Sequence, residues 1–86
     1  MLFAVEAMFV PADIRVLRRL LEVAQRFGEN DGTRITLTQD DLASMAGSTR
    51  STANRVLKRA EADGLLRLAR GRIEILDVDE LARRAG

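Results

Sequence analysis

The sequence predicts a mainly α domain carrying one small antiparallel β-hairpin, an α+β winged helix-turn-helix, and three observations predict it. Two short helical patterns between residues 38 and 64 meet at Ala46-Gly47-Ser48. A longer amphipathic pattern precedes them from Pro11, and two alternating runs flank Arg70-Gly71 after them. At 86 residues the chain builds one core and buries only somewhat more than about 60% of its unfolded surface, so its stability is modest.

The opening MLFAVEAMFV is too short for a membrane span and lacks the basic start and cleavage pattern of a secretion signal. Glu6 interrupts it, and Leu2, Val5 and Phe9 share a face that suits a partner chain. Pro11 pre-sets the first turn of a helix to about Phe27, with Ile14, Leu17, Leu20, Leu21, Ala24 and Phe27 recurring every three or four residues. Arg15, Arg18, Arg19 and Arg26 fall largely away from that stripe and read as a solvated face. Gly28 ends the helix, and Glu29-Asn30-Asp31-Gly32 is a turn with too few oxygen ligands for a metal loop. Arg34 to Leu37 alternates polar and apolar, as a short half-buried strand does.

Thr38 is placed to accept a hydrogen bond from the Asp41 amide and so opens the next helix, where Asp40 and Asp41 meet the positive end of the macrodipole. Leu42 and Ala46 face the core, small Ala43 lets a second helix approach, and Gly47 permits a positive φ at the turn. Ser48 is the expected cap of the second helix, residues 48–63, in which Ala53, Val56, Leu57 and Ala60 form the buried stripe. Asp63-Gly64 closes it, strands 65–69 and 72–76 make a wing, and a last short helix runs from Val78 to about Ala85.

Composition excludes more than it specifies. There is no cysteine and no histidine, so disulfides, thiolate metal sites and the usual neutral-pH proton shuttle are absent. No nucleophile-base pair or spaced carboxylate constellation is found, and neither an enzyme nor a metal or cofactor site is expected. The net charge of +1 hides an uneven distribution: residues 50–72 carry seven basic side chains against Glu61 and Asp63, a net of +5, while the remainder sums to −4.

On the second helix, about 100° per residue sends Ser51, Arg55 and Lys58 opposite the buried stripe, with Asn54 and Arg59 flanking and Arg50 on the first turn. A helix of this length fits the major groove of DNA. Its N-terminal half enters deepest, so Arg50, Ser51, Asn54 and Arg55 are the candidates for base edges, with Thr38, Ser48, Thr52, Lys58 and Arg59 for phosphates. Arg70 and Arg72 at the wing tip either touch the backbone or minor groove, or keep an exposed hairpin soluble. The rival from another class is a winged-helix protein-interaction module, supported by apolar Leu2, Phe3, Met8 and Phe9 and opposed by the basic helix.

These residues resemble the DNA-binding domain of the cyclic-AMP receptor and fumarate-nitrate-regulator (Crp/Fnr) family of bacterial transcription factors. The resemblance rests on residues 14–24 of the first helix, on Leu37-Thr38-Gln39-Asp40-Asp41-Leu42-Ala43 leading to Gly47-Ser48, and on Arg50 with Arg55. Asp63-Gly64-Leu65-Leu66, Gly71 to Ile75 and the Leu81-Ala82-Arg83-Arg84 tail complete it. The family's recognition helix usually reads Arg-Glu-x-x-x-Arg, which places its arginines on Arg50 and Arg55, with Ser51 where the glutamate stands. A serine hydroxyl discriminates less than a carboxylate, so the family's usual operator is not assumed. The resemblance implies double-stranded DNA as partner, a homodimer formed through the N-terminal segment, contact with RNA polymerase, and a cytoplasmic location. It further implies that residues 1–10 are the end of a dimerisation helix or a hinge, and residues 11–86 the DNA-binding domain. An effector-binding β-roll does not fit into those ten residues, so no cyclic-nucleotide site is expected.

Overall fold

Helix α1 (Ala12–Phe27) is the spine against which the other helices and the first strand pack. The computed structural model describes residues 10–30 and 33–86; the apolar segment before Val10 and the Asp31-Gly32 part of the turn lie outside them. After α1 come β1 (Arg34–Thr36), α2 (Gln39–Ala46), α3 (Arg50–Ala62), β2 (Leu66–Ala69), β3 (Arg72–Ile75) and α4 (Val78–Arg84).

Because α1 is covered from several sides, its buried sector is broader than the single stripe the spacing predicts. Val16, Leu17, Leu20, Val23 and Ala24 are buried, as is Arg19, whose guanidinium donates to Glu22 at 2.9 Å. Phe27, expected on the stripe, is 75% exposed. The last turn of α1 runs past the body, and Phe27 sits on the rim of an open groove with Val23, Ile35, Leu37 and Met45.

The solvated face expected of the arginines is also corrected. Arg15 donates to the carbonyls of Ala46 (3.0 Å), Gly47 (3.1 Å) and Val10 (2.6 Å), so it closes the C-terminus of α2 against α1. The carbonyls at the end of α2 have no partner within the helix, and a guanidinium fork supplies one. Arg18 donates to the Ala85 carbonyl at 2.7 Å and ties α4 to α1. Arg26 alone of the four is exposed without a bonded partner among the described residues.

The three strands form one antiparallel sheet in the order β1-β3-β2. Ile35 pairs with Ile73 and Leu66 with Ile75, all four buried, while the alternate residues Arg34, Glu74 and Arg67 line up on the outer face. The alternation identifies β1, but its recruitment as a third strand of the wing depends on a pairing partner 36 or more residues away, Arg72 to Glu74. The core joins that inner sheet face to the helices through Leu20, Leu42, Leu57 and Leu81, each fully buried.

Candidate nucleic-acid interface

The turn between α2 and α3 sets the direction of the candidate reading helix. Gly47 adopts φ +65°, where a β-carbon would be strained, and the Ser48 amide then donates back to the Ala43 carbonyl at 2.9 Å. Ser48 is thereby part of the closure of α2, and Thr49 is the cap of α3, accepting from the Thr52 amide at 3.1 Å. This corrects the expected cap by one residue: Ser48's hydroxyl donates instead to the Thr49 carbonyl at 3.1 Å. The α2 start is as expected, with Thr38 accepting from the Asp41 amide at 3.0 Å.

Ala53, Val56, Leu57 and Ala60 are all buried, at 0%, 7%, 0% and 3% exposure. Two of the four are alanines, so α3 lies close to the body and its far side stands out as a ridge carrying exposed Ser51, Arg55 and Lys58. On one flank a cleft of about 330 Å³ separates the ridge from α2 and the wing, lined among others by Thr38, Gln39, Asp40, Arg50, Asn54 and Arg70. On the other, an open groove of about 440 Å³ runs between α3, α1 and α4, lined among others by Arg55, Arg59, Arg84 and Asp13.

Within the first cleft Arg50 lies 3.3 Å from the Asp40 carboxylate, an exposed pair that solvent weakens. Asn54 is half-buried and donates its amide to Gln39 Oε1 at 2.6 Å. At the far end of α3, Asp63 accepts from Arg84 at 2.7 Å and from Arg59 at 3.4 Å. The Arg84 bond, reinforced by the charge of both arginines, holds the Asp63 carboxyl below the usual aspartate range.

Among the described residues, five basic side chains have no hydrogen-bonded or ion-paired partner: Arg26, Arg55, Lys58, Arg70 and Arg72. Arg55 and Lys58 are on the ridge of α3, and Arg70 and Arg72 are at the wing tip, all four exposed. The structure therefore brings four of these five uncompensated charges to the helix ridge and the wing beside it. Of the hydroxyls expected to meet phosphate, Thr38 and Thr52 keep a free proton, because each accepts the hydrogen bond in which it is held, from the Asp41 amide and the Thr49 hydroxyl. Ser48 has spent its proton on Thr49. Sequence reasoning does not single out Gln39, Thr49 or Arg15; a Thr two residues past an αL glycine is the available signal for the cap, and nothing local signals the other two.

The sequence profile described as the Crp-like helix-turn-helix domain matches residues 14–84. The chain belongs to that family. A CRP-like cAMP-activated global transcriptional regulator of Mycobacterium tuberculosis is 38% identical over 84 residues, covering 93% of this chain and 38% of the relative. The CRP-like protein Clp of Xanthomonas campestris pv. campestris is 36% identical over 63 residues, covering 73% of this chain and 27% of the relative. Among solved structures, a CRP/FNR-family transcriptional regulator from Thermus thermophilus superposes with a TM-score of 0.85 at 27% identity, over 96% of this chain and 44% of that one. A transcriptional regulator of the same family from Eubacterium rectale gives 0.84 at 31% identity, over 99% and 38%. The Crp-like chain thus spans less than half the length of these relatives. The four helices and three-stranded antiparallel sheet seen here superpose on the CRP/FNR winged-helix structures, and all these relatives are named as regulators or CRP-like proteins, which does not favour the protein-interaction reading. No helix among the described residues is long and apolar enough to cross a membrane.

Proposed function

We propose that this Crp-like domain binds duplex DNA at specific sites, with α3 in the major groove and the wing over the adjacent backbone, and thereby regulates transcription. The observation that carries the reading is the gathering of Arg55, Lys58, Arg70 and Arg72, exposed and unpaired among the described residues, on the ridge and wing of a chain whose net charge is only +1. Arg50, Ser51, Asn54 and Arg55 meet base edges; Thr38, Thr52, Lys58 and Arg59 meet phosphates, as does Ser48 once its hydroxyl turns from the Thr49 carbonyl; Arg70 and Arg72 follow the minor groove or its phosphates. Arg50 and Arg59 exchange exposed carboxylate partners for DNA at small cost, since surface pairs contribute about 0–1 kcal/mol.

Two copies joined through the N-terminal segment address half-sites about 34 Å apart, as the symmetry of paired helices in successive major grooves requires. Contact with RNA polymerase and a cytoplasmic location complete the proposal. The test is a binding titration on a duplex enriched from a random pool, comparing Arg55→Ala with Arg83→Ala, whose partner is Glu80 on its own helix. Arg55→Ala is expected to lose at least tenfold in affinity for the enriched site, the size of one bidentate arginine-guanine contact, and Arg83→Ala little. Equal loss from both overturns the assignment.

A further inference from the structure

Among the described residues, the hydrogen bond between Asn54 and Gln39 joins the first half of α3 to the start of α2 without any charge, and the charge-based account of binding makes no use of it. Gln39 is the first residue of α2, directly after its Thr38 cap. Asn54 stands on the flank of α3 that faces the wing, and both side chains are half-buried in the cleft between. The bond is short, at 2.6 Å, with Asn54 Nδ2 donating and Gln39 Oε1 accepting.

That sense leaves a particular set of groups over. A side-chain amide has two N–H donors and one carbonyl oxygen. Gln39, its oxygen engaged, keeps both N–H groups of Nε2; Asn54, one N–H engaged, keeps the other together with its whole Oδ1. Phosphate oxygens only accept, so a glutamine set against the DNA backbone must offer its nitrogen, and the bond to Asn54 uses the Gln39 oxygen and leaves that nitrogen over. An asparagine fixed at one N–H still offers a coplanar donor and acceptor, the combination that matches N7 and N6 of adenine in the major groove.

Resting on the DNA-binding reading above, we infer that Gln39 is a positioning residue for Asn54: it bridges the DNA backbone to the Asn54 amide and holds it as a reader of one adenine in each half-site. The first helix of a helix-turn-helix crosses the backbone while the second enters the groove, so the start of α2 and the first half of α3 are where such a bridge would span. Held this way, the amide of Asn54 does not have to be ordered when DNA arrives, which lowers the cost of the contact.

The experiment is selection of bound duplexes from a random pool, followed by titration, for the wild-type chain and for Asn54→Ala, Gln39→Ala, Gln39→Glu and the double alanine variant. Wild type is expected to select A·T at one position per half-site. Asn54→Ala loses that preference by about tenfold, Gln39→Ala relaxes the same position and no other, and the double variant loses no more than Asn54→Ala alone. Gln39→Glu keeps the acceptor for Asn54 and turns a negative oxygen toward phosphate, so it retains the A·T preference while weakening every sequence alike. A merely structural role for Gln39 would not move one base position selectively. The inference is overturned if Asn54→Ala leaves the selected sequence unchanged, or if Gln39→Ala leaves the A·T position intact. Wild-type chain that selects no sequence overturns the DNA-binding reading itself, a distinguishable result.

Discussion

Arg15 joins the start of α1 to the end of α2, more than thirty residues away, and its replacement measures what that junction contributes. Its guanidinium reaches Ala46 and Gly47 at the end of α2 and Val10 ahead of α1, at 3.0, 3.1 and 2.6 Å. A hydrogen bond to a charged donor contributes about 1.5–3 kcal/mol when buried. Here the Gly47 contact is exposed and the other two are partly buried, and water takes up part of what is lost, which reduces the sum to about 2–3 kcal/mol for Arg15→Ala. A domain of this size has about 4–13 kcal/mol in all, so the loss is a sizeable fraction, equal to about 10–20 °C in Tm. Urea unfolding followed by far-ultraviolet circular dichroism reads it directly, with the midpoint falling and the slope unchanged. Arg15→Lys should recover less than half, because a single ammonium does not span three carbonyls in fixed directions. Arg26→Ala, on an exposed side chain of the same helix, should stay within about 0.5 kcal/mol of wild type. Were Arg15→Ala no costlier than Arg26→Ala, the assignment of Arg15 as the closure of α2 would be wrong.

Three further outcomes follow from burial, capping and ionisation. Leu57→Ala should cost about 2–5 kcal/mol in the same assay, because the leucine is fully buried under α3, whereas Leu76→Ala, at 49% exposure, should cost under about 1 kcal/mol. Thr49→Ala should cost about 1 kcal/mol by removing the oxygen that accepts the Thr52 amide, and Ser48→Ala distinctly less; the reverse order would restore Ser48 as the cap. Asp63, with its carboxyl held below the usual range by Arg84, contributes stability that is present above the range in which an unfolded aspartate titrates and is lost as the pH falls through the lowered value. The difference in urea midpoint between wild type and Asp63→Asn should therefore narrow from about pH 6 toward about pH 2, and a difference independent of pH would refute it.

What the sequence displays and what it conceals divide along physical lines. The α2-turn-α3 unit is legible because its determinants are local: a capping threonine, a glycine at φ +65°, and a four-residue stripe at helical spacing. The ridge residues follow from that stripe by geometry alone. The cap of α3 falls one residue later than expected, since whether Ser48 or Thr49 serves depends on how the chain leaves the αL turn, and the Ser48 amide is consumed in closing α2. Arginine roles are the least legible. Arg15, Arg18 and Arg19 look solvated on a helical wheel, yet two of them meet carbonyls 31 to 67 residues away and the third is buried by its surroundings. The same long-range character hides the contact between Gln39 and Asn54, in which neither residue carries a charge that would draw notice.

The allocation of charge explains how a nearly neutral chain can present a basic face. Many of its carboxylates are committed to structure: Glu61 accepts the Leu68 amide at 2.8 Å, Asp77 caps α4, Glu74 lies between Arg34 and Arg67, and Asp63 and Glu80 hold Arg59, Arg83 and Arg84. Apart from Glu61, which holds a strand amide, and Asp63, which also reaches Arg59 on α3, these commitments neutralise cations or a helix end away from the ridge. Among the described residues, the carboxylate set against a candidate base reader is Asp40, paired with Arg50 in an exposed contact that a phosphate or guanine competes with readily. Much of the remaining positive charge is thus paired within the chain, and apart from Arg26 what is left over falls on α3 and the wing. Affinity built from cations on phosphate falls as salt rises, by a slope proportional to their number, and so few unpaired cations leave it weak in a single copy. That is the physical case for two linked half-sites, since joining them raises the effective concentration of the second without adding a contact.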